Sequence, residues 1–333
     1  MHRRQPPRQD SETYHFHTVF SPRTPAGQVS IERRRIREVR LQEPFRNASP
    51  GFFFERIVPL DLRHKLSEFK PHLWKSYLDA YGQGQRFREL IQWIQKRQES
   101  IYHQAQSAAW EAKCFDLRLT HRMVVGLGAT STWETAMVWH RPTGLPYIPA
   151  SALKGLARAR IVEETFQSAI DAWPAFKEMS YQDRHACLKA IDEWLLKPEA
   201  NVPLPPNVSQ TLQRRRQEIF DLFGHTEQAG LVEFLDAFPT EPPKFELDVM
   251  NVHYPEYYRR LSPQALDTES PNPVVFLTVA RTPFRFIILC DRLRAGDKAP
   301  RLLEQAANLL KAGLQTMGVG AKTRLGYGRF QNP

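Results

Sequence analysis

Leu303, Ala306, Ala307, Leu310, Leu314 and Met317 recur at helical spacing and form one apolar stripe that stops at Gly318. A glycine at that place ends a helix, because it takes up φ > 0 without penalty. The chain then runs through Gly318-Val-Gly-Ala-Lys-Thr-Arg-Leu-Gly-Tyr-Gly-Arg-Phe330. Four of these thirteen residues are glycine, three are basic and none is acidic. Glycine lets a backbone approach a ligand closely, and successive bare N–H groups beside Lys322, Arg324 and Arg329 suit phosphate oxygens. A core helix that ends in a basic, glycine-rich loop and a short final strand, Tyr327–Phe330, is the strongest constraint on this chain.

The balance of charge agrees with an anionic partner. The net charge is +10 and the pI is about 9.6, the range in which a nucleic acid becomes a default partner. Residues 1–65 hold thirteen Lys/Arg against seven Asp/Glu. This stretch is rich in Pro and Arg, and residues 1–62 are expected to be a basic, partly flexible arm. The mean hydropathy of −0.50 fits a soluble globular chain. No apolar run approaches the roughly 18 residues of a membrane span. The N-terminus lacks the apolar stretch of a signal peptide. Three scattered cysteines, Cys114, Cys187 and Cys290, build neither a disulfide framework nor a Cys-x-x-Cys knuckle, which suits a reducing cytoplasm.

A second dense segment is Pro142–Arg160. Ser151 is a helix-capping residue type, and Leu153, Leu156, Ala157 and Ile161 give the following helix a core face. Lys154 falls in its first turn, where a cation opposes the helix dipole. That placement makes sense if an anion sits at the helix N-terminus; a solvated basic face is the alternative. Gly155 costs about 1 kcal/mol relative to Ala inside a helix, so close approach by a backbone or a ligand is the reason to expect. Arg158 shares a face with Lys154, whereas Arg160 points elsewhere.

Residues 63–113 read as a helical segment. Phe115, Leu117 and Leu119 then alternate with polar residues as in a half-buried strand, and Met123–Val125 and Thr135–His140 are further strand candidates. Residues 166–230 read as a helical insertion with a Pro-rich linker at Pro198–Pro206. Strands return at Leu231–Phe238, Phe245–Met250, Val274–Val279 and Phe284–Leu289. Without the insertion the order is strand, helix, strands, helix, strand. It predicts an α+β, ferredoxin-like (RRM-like) domain over 114–333, with an antiparallel sheet and helices on one face.

Gly144-Leu-Pro-Tyr-Ile-Pro-Ala-Ser-Ala-Leu-Lys-Gly155 with Arg158, and Gly318–Gly328, resemble the helix motif and the glycine-rich loop of the RAMP superfamily of CRISPR proteins. Leu222-Phe-Gly224, Phe234–Phe238, Asp248–Tyr254, Tyr257-Tyr258 and Ser270–Val279 resemble the branch formed by subunit six of the type III-B (Cmr) effector complex. The resemblance covers roughly residues 110–330. It implies a subunit without catalysis that holds the 3′ part of a CRISPR RNA (crRNA) at the end of a filament of backbone subunits. Its implied partners are the crRNA, complementary target RNA, the backbone subunit and a neighbouring RAMP subunit, with no cofactor, metal or membrane. The RNA-contacting residues so implied are Ser151, Lys154, Gly155 and Arg158 on the helix. On the loop they are Gly318, Gly320, Lys322, Thr323, Arg324, Gly326, Tyr327, Gly328 and Arg329. Ala152 stands where the motif usually carries a hydroxyl, which removes one possible phosphate hydrogen bond.

Other relatives in the superfamily are metal-independent ribonucleases that process precursor CRISPR RNA, often through histidine, so an endoribonuclease is the alternative. His121, His140, His225 and His253 are its candidates. His15/His17 and His185/Cys187 offer two ligands each and complete no zinc set. Asp116, Asp236 and Asp248 form no evident carboxylate pair. Trp133, Trp139 and Tyr327 are candidates for stacking on bases, Tyr327 foremost; for Trp133 a subunit contact is the other reading.

Overall fold

A computed structural model describes residues 12–18, 23, 25–32, 35–46, 48–60, 66–81, 85–107, 109–197, 206–252, 260, 263–264 and 272–333. His253, Tyr257, Tyr258, the linker at Pro198–Pro205 and the first eleven residues lie outside them. Along the chain run β1 (Glu12–Phe16), β2 (Gly27–Glu32), β3 (Arg35–Leu41), α1 (Pro50–Arg56), α2 (Leu66–Tyr81) and α3 (Gln85–Ser107). Then come β4 (Trp110–Leu119), α4 (Ala150–Asp171), α5 (Tyr181–Leu196), α6 (Pro206–Phe223) and β5 (Val232–Phe234). The rest are β6 (Lys244–Val252), β7 (Asn272–Ala280), β8 (Pro283–Asp291), α7 (Ala299–Thr316) and β9 (Phe330–Gln331).

These elements divide into two compact units, each assembled from distant stretches of chain. One comprises Met1–Leu90, Gly126–Pro146 and Pro242–Ala280; the other comprises Ile91–Val125, Tyr147–Glu241 and Arg281–Pro333. In the first unit β1, β2 and β3 form an antiparallel sheet within the stretch expected to be a flexible arm. β6 and β7 pair antiparallel along their whole length. Its core is aromatic. Phe53 stacks on Tyr77 at 3.9 Å, and Phe54 meets Trp74, Trp139 and Phe245. The Tyr77 hydroxyl donates to Ala48 O at 2.7 Å, which satisfies the one polar atom this ring buries.

The second unit holds an antiparallel sheet in the order β5-β8-β4-β9, with Phe238–Pro239 also pairing to β8. Alternation decides which face each side chain meets. Phe115 and Leu117 of β4, with Phe284 and Phe286 of β8, sit on the face where Phe330 closes the cluster edge-on. α4 and α7 pack against each other and against this sheet. The opposite face is covered as well, which departs from the expected arrangement with helices on one side. Ala105 of α3 packs with Ile287 and Leu289 among Tyr102, Trp110, Ala112 and Cys114. Arg285 there bonds both oxygens of Asp116 (3.0 and 3.1 Å) and reaches Glu99 of α3 at 3.1 Å. The alternating pattern of β4 carries enough small and apolar residues on its second face to take a helix, and α3 supplies it.

Several boundaries moved. Thr135–His140 contributes only Trp139–His140 as strand, because Val138 and its neighbours follow a loop that turns at Gly126. The last strand is Phe330–Gln331 rather than Tyr327–Phe330, since Gly326 and Gly328 hold φ of 87° and 67°. The helix expected through residue 113 ends at Ser107, and β4 begins at Trp110.

Candidate nucleic-acid interface

The glycine-rich loop and, from Tyr147 onward, the Pro142–Arg160 segment belong to the second unit, whereas Pro142–Pro146 belongs to the first. Leu156 in α4 packs on Gly313 in α7, where a built Cβ would stand 2.9 Å from Leu156 Cγ. Leu156 lies near the start of α4 and Gly313 near the end of α7. This contact therefore puts the first turns of α4 and the loop after α7 at the same end of the helix pair. Neither residues 135–162 nor residues 305–333 contain an Asp or Glu. That end of the pair collects Lys154, Arg158, Lys322, Arg324 and Arg329 without an acid from either segment.

The start of α4 differs from the expectation in its cap. Pro149 occupies the N-cap position with no side-chain hydrogen bond of its own, so Ser151 lies inside the first turn, exposed. The cap comes from across the unit: the Ala150 N–H donates to Asp236 Oδ1 at 2.7 Å. Asp236 precedes the bridge in which Ile148 and Ala237 exchange backbone hydrogen bonds at 2.9 Å. The carboxylate thus takes the helix-end position first assigned to a phosphate; Ser151 stays exposed in the first turn, and half-buried Lys154, expected in that turn, falls just past it because the helix begins at Ala150.

Gly155 is exposed, and a Cβ there would meet nothing within 4 Å. None of the described residues requires glycine at 155, so close approach by another described segment does not explain it. Arg158 is half-buried, and one of its terminal nitrogens is buried without an acceptor among the described residues. Arg160 is held in an ion-paired fork by Glu163 (2.8 Å) and Glu164 (3.0 Å), which agrees with its pointing away from Lys154.

The glycine-rich loop is more self-contained than a phosphate cradle. The amides of Val319, Ala321 and Gly328 donate to Gly328 O, Val124 O and Arg122 O, at 3.0, 2.8 and 2.7 Å. Those of Leu325 and Gly326 close a short turn onto Lys322 O and Thr323 O, each at 2.9 Å. A side chain at Gly328 would collide with Val319 O, and one at Gly320 with Val124 O. These two glycines, and Gly318 against Tyr327 O, serve the folding of the loop on itself and on the segment after β4. Gly326 alone, at φ 87°, faces open space. The bare-amide cradle expected from the sequence is therefore largely occupied by the chain's own carbonyls. What the loop offers outward is side chains: Arg324 and Arg329 exposed, Lys322 and Thr323 half-buried.

Tyr327 is half-buried with its ring 6.5 Å from that of His121. Trp133 and Trp139 are 6% exposed and belong to the aromatic core of the first unit, Trp133 against Trp74 and Trp139 on Phe54. Their burial removes them as base-stacking groups. Of the three described candidate histidines, His140 shares a hydrogen bond with Thr143 at 2.8 Å and His225 packs on Phe220. Among these three, His121 alone is exposed, and it lies beside the loop. Among the described residues, no three His, Cys, Asp or Glu side chains gather as a metal set, and no helix is long and apolar enough to cross a membrane. Two features of the site escaped the sequence reading. Asp236 left no local signal, because its partner is 86 residues away. Leu325 did leave one: a large apolar residue between Arg324 and Gly326.

A family model described as the RAMP superfamily matches residues 116–331. Over 230 residues the chain is 34% identical to the CRISPR system Cmr subunit Cmr6 of Pyrococcus furiosus, covering 63% of this chain and 64% of that protein. Over 120 residues it is 33% identical to the CRISPR system CMR subunit Cmr6 of Saccharolobus solfataricus, covering 34% and 37%. The matched region is thus under two thirds of either relative's length. Among solved structures, the crystal structure of Cmr6 from Pyrococcus furiosus matches at 30% identity, covering 68% of this chain and 98% of that one, with a TM-score of 0.40. A cryo-EM structure of the type III-B Cmr-beta bound to cognate target RNA matches at 20% identity, covering 72% and 64%, with a TM-score of 0.46.

Proposed function

The chain belongs to the RAMP superfamily, and from that premise we propose that it is a non-catalytic, RNA-binding subunit of a type III-B (Cmr) effector complex in the cytoplasm. In this reading it holds the 3′ part of the crRNA and caps the backbone filament. It then contacts the backbone subunit, a neighbouring RAMP subunit and the complementary target RNA. The domain that does this is ferredoxin-like and spans 114–333 with a helical insertion at about 166–230. The antiparallel order β5-β8-β4-β9, with α4 and α7 on one face, supports that fold. The identity with two Cmr6 proteins supports the complex.

One observation carries the RNA reading: the Leu156–Gly313 contact that brings two acid-free basic segments to one end of a helix pair. Ser151, Lys154 and Arg158 face a strand from α4, and Lys322, Thr323, Arg324 and Arg329 face it from the loop. Gly155 and Gly326 leave room for a sugar–phosphate backbone. Gly318, Gly320 and Gly328 act indirectly by giving the loop its shape. Such a groove tracks phosphates without reading sequence. In a titration of the purified chain with single-stranded RNA, log K should fall linearly with log salt. Lys154→Ala with Lys322→Ala should weaken binding and make that slope shallower by about two. Binding unchanged in the double variant would leave a protein–protein adaptor instead.

His121 favours a second reading, as an endoribonuclease. It is exposed and lies beside Tyr327 at the foot of the loop, within the same basic end of the unit. Incubation with labelled repeat RNA in EDTA distinguishes the two. A specific product that His121→Ala abolishes would replace the scaffold reading with a nuclease.

A further inference from the structure

The loop after α7 carries one outward group that phosphate binding does not use. Leu325 is 73% exposed, at the end of the short turn Thr323–Leu325. The two hydrogen bonds onto Lys322 O and Thr323 O brace that turn. Lys322 before it and Gly326 after it both sit at positive φ, 59° and 87°. The backbone reverses on both sides and projects the leucine outward. From Gly318 to Arg329 the other exposed side chains are Arg324 and Arg329. A single exposed leucine is ordinary on a protein surface. A leucine held on a braced turn between arginines, inside an acid-free segment, has a more specific complement. That complement is a polyanion with flat apolar faces.

We propose that Leu325 is a wedge that contacts a nucleobase of the bound single strand, unstacks it from its neighbour and so sets the register of the strand on the loop. The proposal rests on the RNA-binding reading above. Leucine, isoleucine, methionine and phenylalanine act as wedges between base steps elsewhere, and a contact with a base face tolerates any sequence because every base has one. The phosphates flanking the unstacked base fall to Arg324 and Arg329. Tyr327, the stacking residue expected from the sequence, is half-buried with its ring 6.5 Å from that of His121, and Leu325 is the more exposed of the two. The wedge adds positional preference to a groove that otherwise slides.

The test uses the full chain and single-stranded RNA carrying 2-aminopurine at one position at a time; its fluorescence rises when it is unstacked. Wild-type protein should produce a rise at a restricted position. Leu325→Ala should abolish that rise and weaken binding about fivefold. Leu325→Met should retain both, with thermal midpoints unchanged across the series because the side chain is exposed. A rise that persists in Leu325→Ala, or no rise at any position while the wild type binds, overturns the wedge and leaves the phosphate groove standing. Failure of the RNA reading itself would appear separately, as Lys154→Ala with Lys322→Ala binding RNA as tightly as wild type.

Discussion

Leu156 of α4 lies against Gly313 of α7 so closely that a β-carbon at 313 would stand 2.9 Å from Leu156 Cγ. Helix packing distance depends on the side chains at the contact, and here a leucine fills the space that a glycine leaves. The pair couples the two segments proposed to hold RNA, so its disruption should be felt in binding as well as in stability.

Gly313→Val should cost about 1–3 kcal/mol through overpacking, offset only by the roughly 0.3–0.5 kcal/mol by which glycine falls below valine in helix propensity. Urea unfolding measures the net change, and RNA affinity should drop with it. Gly155→Ala should behave in the opposite way in the free chain, gaining up to about 1 kcal/mol, because its Cβ enters open space. If an RNA backbone passes over Gly155, the same variant binds RNA more weakly despite being more stable. A more stable variant with unchanged affinity would show that no ligand comes close there.

The loop glycines should separate into two classes. Gly328→Ala places a methyl into Val319 O and opens the two strands of the loop. It should destabilise by more than the roughly 1–2 kcal/mol that a left-handed backbone alone costs a residue with a β-carbon. Gly326→Ala meets no neighbour and should cost only that backbone term. Thermal unfolding of the two variants side by side checks the difference; equal losses would mean that the collision at 328 relaxes without cost.

Asp236→Ala should remove the acceptor that caps α4 from 86 residues away, at a cost of about 1 kcal/mol. Asp236→Asn keeps an oxygen for the Ala150 amide and should recover most of it. Hydrogen exchange at the first turn of α4 is the readout. Equal exchange in wild type and Asp236→Ala would show that the cap contributes nothing.

Lys70 gives a pH dependence. It is 2% exposed and donates to Thr135 Oγ1 at 3.2 Å, with Glu134 at 3.6 Å and the Trp74 ring beneath it. Burial pulls its pKa below the ordinary 10.5, and Glu134 only partly opposes this. The unfolded chain therefore binds the proton more tightly than the folded one. The penalty is fully present below the lowered folded value and is relieved as pH rises towards 10.5. The unfolding free energy of wild type should gain on that of Lys70→Met as pH is raised through the alkaline range. A difference independent of pH would mean that the ammonium is not penalised by burial.

Much of the domain was legible before any coordinates. The stripe from Leu303 to Met317 and its stop at Gly318 became α7 and its end, within two residues. Phe115, Leu117 and Leu119 marked β4, since period-2 alternation reports a half-buried strand directly. The Lys154 and Lys322 segments were recognisable as motifs; both residues lie in one unit, where Leu156 of α4 packs on Gly313 of α7. Legibility ended where a residue's role depends on what lies across from it. Trp133 and Trp139 carry the same local signal whether they stack on a base or on Trp74 and Phe54, and only the packed unit separates the two. Ser151 is a capping residue by type, yet Asp236 holds the cap because Pro149 takes the N-cap position.

The glycines make the same division. Their positions, and the basic residues between them, are written in the chain and determine that a helix ends and a tight, acid-free loop follows. Whether each glycine serves a ligand or the chain's own carbonyls is a matter of non-local geometry. Gly320 and Gly328 are required by Val124 O and Val319 O, which no local pattern announces. Gly155 and Gly326 remain open. A sequence reports how each segment buries its own faces; the partner on the far side, and hence the group left facing solvent, is set only when distant segments close on one another.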